Sequence, residues 1–105
     1  MSRTTGEILR ESLLHFEMMH RHACGDVADQ MVIDAICMRL SAGIEALSRL
    51  APEIRDDLFG EDWPVMWGMR NRIAHGYLLV DAVVVRQTVN VDLPGIEQTI
   101  RSALN

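Results

Sequence analysis

The chain has 105 residues, 49% hydrophobic and 24% charged, which is enough for one hydrophobic core and far from a disordered composition. Its formal net charge of −5 argues against a general nucleic-acid coat, and no apolar run approaches the ~20 residues that span a bilayer. All ten cationic side chains are arginine, the residue that forks onto phosphate and carboxylate, so any nucleic-acid site must be a local arginine patch on an acidic body.

The opening "MSRTTGEILRESLLHFEMM" is broken by Glu7, Arg10 and Glu11 and lacks the clean apolar stretch of a signal peptide, so the expected compartment is the cytoplasm. Cys24 and Cys37 are then expected to remain thiols. A first helix is predicted from Thr5 to about Ala23, capped at Thr4 or Thr5, with Ile8, Leu9, Leu13, Phe16 and Met19 at helical spacing. Gly25 ends it and Asp26 caps the next, which runs from Val27 to about Leu50. In that helix Met31, Ile33, Ala35, Met38, Ala42, Leu47 and Leu50 suggest burial on more than one side, with the methionines as flexible core filler.

Pro52 opens a short turn or helix through "PEIRDDLFG", read as an acidic, solvated surface and closed by Gly60. A further helix is predicted from Asp62 to about Gly76, with Pro64 in its first turn and Met66, Met69 and Ile73 as its apolar stripe. Trp63 and Trp67 at its entry are read as packing residues, with base stacking as the alternative. "AVVVRQTVNV" would score as a strand on β-branched content, but a lone strand has no partner here, so it is read as helix. "DLPGIEQTIRSAL" follows with Ile96, Ile100 and Leu104 on one side. The expected fold is all-α: a single domain over residues 1–105, an antiparallel bundle of four to five helices.

Two stretches carry polar chemistry. "HFEMMHRHAC" holds His15, His20, His22 and Cys24, but His20 falls on a different helix face from His15 and His22, and the spacing matches no standard zinc site, so no metal is expected. "MRNRIAHGY" is denser. At about 100° per residue, Asn71 and His75 form an i, i+4 pair, Gly68 leaves their face open, and Arg70 points elsewhere. Either the helix distorts near Gly76 or a second subunit completes the site. His75 suits proton transfer from a ribose 2′-hydroxyl, and an arginine suits the charge that gathers on phosphate in the transition state. A solvated helix face remains the alternative on chemistry alone.

"GMRNRIAHGY" resembles the signature of the HepT-like toxins of the HEPN superfamily, small all-α ribonucleases marked by arginine, asparagine, four residues, histidine, one residue and tyrosine. Here these are Arg70, Asn71, His75 and Tyr77. Trp63, Gly68-Met69, Asp81 and "DLPGIEQTI" agree with the flanks. "GIEAL" at Gly43 to Leu47 is similar to the family's Gly-Glu-Ala stretch, with Ile44 in place of a glycine. The resemblance implies a homodimer whose two strips face one cleft, and RNA cleavage with no metal and no cofactor. It further implies a minimal nucleotidyltransferase antitoxin that transfers AMP onto Tyr77, adding bulk and negative charge beside the arginines that hold RNA phosphate. Arg70 is then the phosphate ligand, His75 the acid or base and Asn71 the orienter; Arg72 and Arg39 are candidates for further RNA contacts. The alternative is a HEPN module that does not cleave RNA but binds a small molecule or nucleotide and partners a nucleotidyltransferase.

Overall fold

In the computed structural model, which describes residues 3–76 and 80–105, the chain is an all-α bundle. Its elements are α1 (Thr5–Ala23), α2 (Gln30–Leu47), α3 (Pro52–Phe59), α4 (Asp62–Gly76), α5 (Ala82–Gln87) and α6 (Leu93–Leu104). A π-helical turn, Thr88–Asp92, joins α5 to α6 without leaving helical backbone, so the described residues form five rods. Each start has a chemical cause. Thr4 accepts from the Glu7 amide, Asp29 from Met31 and Asp81 from Val83, while Pro52 fills the first turn of α3, where no amide donor is required.

The second helix begins later than the sequence suggests. Asp26 is spent on a turn, accepting from the Ala28 amide at 2.9 Å and, through its carbonyl, from Asp29 at 2.9 Å, so capping passes to Asp29. The same helix ends at Leu47, short of Leu50, where Ser48 folds its hydroxyl back onto the Glu45 carbonyl.

α1 and α2 form an antiparallel hairpin, read directly from the pairs Glu11–Arg49, Ser12–Gly43 and His15–Arg39. α4 lies against α2, α6 against α1, and α3 bridges α4 and α6. The core between them is Phe16, Met19, Ile36, Leu40, Ile44, Leu47 and Ile100, joined by Met66, Ile73, Val85 and Leu93. Expected burial on several sides of α2 does not hold: Met31 and Met38 are 78% and 71% exposed, because only the face carrying Ile33, Ile36, Leu40, Ile44 and Leu47 meets α1 and α4. Those two methionines are surface residues, not core filler.

The valine-rich segment is helical despite its β-branched content, because Val85 and Val89 land in the core and Asp81 supplies a cap. The π turn is the part that periodicity does not announce. Buried Thr88 turns its hydroxyl onto the Val84 carbonyl at 3.0 Å within this wider turn. Glu97 is buried on α6 and is answered by His20 at 2.5 Å and Arg101 at 3.7 Å. The cysteines are free, and burial pushes the Cys37 thiol up to about 11, which keeps it protonated and inert. No described helix is long and apolar enough to cross a membrane.

At Gly43 the hairpin leaves no room for a side chain. A Cβ there would overlap the Phe16 ring, with Cδ1 at 2.8 Å, while the Gly43 carbonyl takes the hydrogen bond of buried Ser12 at 2.8 Å. Gly43→Ala is therefore expected to destabilise the chain by about 1–3 kcal/mol through overpacking, read as a lower urea midpoint with unchanged m.

Candidate active site

The polar strip lies on α4, whose only buried apolar residues are Met66 and Ile73, so most of its circumference is free to carry chemistry. Arg70 is held on three sides. Its Nε is 2.7 Å from Glu45 Oε2 on α2, its Nη1 donates to Asn71 Oδ1 at 3.1 Å, and its guanidinium lies 4.7 Å from the centre of the Trp67 ring. Trp67 in turn stacks on Trp63 with centroids 5.6 Å apart, and Arg55 from α3 sits 4.8 Å over Trp63. The tryptophans thus pack, as expected, but as a stacked pair of rings with a guanidinium at each end, which restrains Arg70. The Glu45 contact is an ion pair without hydrogen-bond alignment: Glu45 Oε2 and Arg70 Nε are both buried, and among the described residues neither has a hydrogen-bond partner.

Two clefts flank the strip. Arg70 lines a groove of about 680 Å³ together with Glu45, Arg39, Met38, His22 and Ile73. His75 is exposed and lines a separate cleft of about 330 Å³ with Asn71, Arg72, Gly76 and Val80. Arg70 and His75 therefore face different spaces in one copy, as helical geometry anticipates. Asn71 stands between them. It was expected to pair with His75 one turn on; it accepts instead from Arg70, because the adjacent guanidinium is the stronger, charged donor. Among the described residues, nothing lies within 4 Å of where a Cβ at Gly68 would stand, so the open face expected there is present.

The sequence candidates are thus divided into two sets: Arg39 with Arg70, and Arg72 with His75. Tyr77, the expected modification site, lies outside the described residues. Glu45 was not singled out for a role by residue pattern. Its signal was only the "GIEAL" likeness, since nothing in the spacing of α2 and α4 shows that the two meet. Among the described residues no group of three His, Cys, Asp or Glu could hold a metal ion. Two histidines of the histidine-rich stretch take different partners, Glu97 for His20 and Arg39 for His15.

That last contact is sensitive to protonation. Arg39 Nη1 donates to His15 Nδ1 at 3.1 Å, which requires the neutral imidazole. Burial first, and then the Arg39 charge, hold His15 below its ordinary 6.5, with Glu11 opposing. A folded-state value below the unfolded one means the unfolded chain binds the proton more readily. This contribution to stability is present above about 6.5 and is lost as pH falls from there toward the lowered native value. Urea midpoints should therefore drop more between about pH 7 and pH 5 for the wild type than for His15→Gln, which keeps an acceptor but cannot titrate.

The family model described as Ribonuclease HepT-like matches residues 9–103, nine-tenths of the chain. No curated protein and no solved structure gives a match.

Proposed function

We infer, since this chain belongs to the HepT-like ribonuclease family, that it is a metal-independent endoribonuclease acting as the toxin of a toxin–antitoxin pair. The observation that carries the reading is the state of Arg70. A guanidinium fixed by Trp67, Glu45 and Asn71 within an open groove is a preorganised phosphate ligand, and it sits in the family's motif five residues before His75. Little rearrangement is needed at the moment of reaction, which is where such groups gain their effect.

Arg70 holds the scissile phosphate and meets the charge that grows on its oxygens. His75 exchanges a proton with the ribose or the leaving oxygen, and Asn71 orients Arg70. Because one copy turns Arg70 and His75 into separate clefts, the working unit is a homodimer in which the strips of two copies face a common space. Arg72, sharing the His75 cleft, and Arg39, sharing the Arg70 groove, extend the contacts to RNA. The acidic body is no obstacle, since only this cleft has to attract phosphate.

Silencing follows from the same electrostatics. AMP transferred to Tyr77, two residues beyond His75 in the sequence, by a minimal nucleotidyltransferase antitoxin would add a phosphate and a nucleoside to the motif and compete with substrate for the arginines.

Expressed alone, the wild type should arrest growth and fragment total RNA, and His75→Ala should do neither while retaining the wild-type circular dichroism spectrum. In cleavage assays the expected loss is about 10²–10⁴-fold, the usual range for removing an acid–base group. If both proteins are harmless and mass spectrometry finds Tyr77 unmodified, the chain is instead a binding module. With the nucleotidyltransferase co-expressed, Tyr77→Phe should stay toxic where the wild type is silenced.

A further inference from the structure

Cleavage of RNA through its own 2′-hydroxyl moves two protons, one off the attacking 2′-oxygen and one onto the departing 5′-oxygen. The reading above supplies one proton carrier, His75. We propose that Glu45 is the second: its carboxylate, on the wall of the Arg70 groove, takes the 2′-hydroxyl proton, and His75 as imidazolium delivers a proton to the 5′-oxygen. This rests on the ribonuclease reading and deepens it.

Three observations carry it. Glu45 and Arg70 line the same groove, with Oε2 2.7 Å from Nε, so the phosphate ligand and the carboxylate are adjacent. Glu45 Oε2 is buried against the Arg70 guanidinium while the side chain as a whole stays open to the groove, so the other carboxylate oxygen is the one that meets a donor from there, and a substrate hydroxyl is a donor of the right kind. The other carboxylate on the groove, Asp34, is already engaged by Gln30 at 2.8 Å. The Glu45 side chain is still 40% exposed, so substrate can reach it.

The step balances without a further reactant. The 2′-oxygen forms a bond to phosphorus as its proton passes to Glu45, the bond from phosphorus to the 5′-oxygen breaks, and that oxygen leaves with the proton from His75. The products are a 2′,3′-cyclic phosphate and a 5′-hydroxyl, and exchange with solvent resets both side chains. Such an acid–base pair gives a bell-shaped rate profile, its acidic limb set by the base and its alkaline limb by the acid. The charged and titratable groups facing Glu45 are Arg70 from α4, His22 from α1, and Asp34 and Arg39 along its own helix.

The test is single-turnover cleavage of an oligonucleotide with one ribose at the scissile position, across about pH 4 to pH 9, using the full chain. Glu45→Gln should lower the rate about 10²–10⁴-fold, leave KM unchanged and abolish the acidic limb of the profile. Glu45→Ala should regain rate on addition of formate. A parallel loss at every pH with a raised KM, an intact acidic limb and no formate rescue would mean that Glu45 only holds Arg70, and would overturn the proposal. That result, with wild-type cleavage abolished by His75→Ala, sinks the Glu45 role alone. A folded wild type that cleaves nothing sinks the ribonuclease reading with it.

Discussion

The contact of Gly43 with Phe16 is the constraint from which the rest of this structure follows. Without a side chain at position 43, α2 seats directly on the Phe16 ring, and the Ser12 hydroxyl satisfies the carbonyl exposed there. That close seating sets the depth and roll of α2. With its inner face closed against α1, Glu45, two residues on from Gly43, is turned toward α4 and meets Arg70. A packing decision in the core therefore determines which carboxylate stands beside the guanidinium at the surface.

Arg70 is then restrained by two kinds of force that do different things. The ion pair with Glu45 supplies attraction in a partly desolvated place, but leaves both atoms without hydrogen bonds and so contributes less to stability than its 2.7 Å separation suggests. The contact with the Trp67 ring, continued through Trp63 to Arg55, supplies direction, because a weakly hydrated guanidinium settles over an aromatic face more readily than an ammonium does. The combination suits a ligand whose geometry matters more than its own binding energy. It also explains why Asn71 is taken by Arg70 rather than by His75, leaving the imidazole exposed in its own cleft. Separation of the two groups in one copy makes the dimer a functional requirement of the proposed chemistry, not merely a stabilising addition.

Much of the fold was legible in the chain because its signals are local. The Thr4 cap, Pro52 at the start of α3, and the apolar spacing of α1, α4 and α6 each act over a turn or two, and the bounds of α4 at Asp62 and Gly76 were readable from them. The misreadings were non-local. Met31 and Met38 have the same hydrophobicity as buried methionines, and only the number of helices packed around α2 leaves them outside. The π turn at Thr88–Asp92 depends on how α5 and α6 must be offset to bury Val89 and Leu93 together, which no periodicity records.

The motif from Arg70 to Tyr77 and the all-α class were determined by the sequence alone, since residue identity and helical period are properties of the chain itself. That Arg70 meets Glu45, that Asn71 serves the arginine, and that Arg39 joins Arg70 while Arg72 joins His75 were decided only by tertiary structure. The reason is the packing of α1, α2 and α4. Contacts between residues 25 positions apart depend on how three helices roll against one another, and that roll is set by steric fit at a glycine far from the motif in sequence.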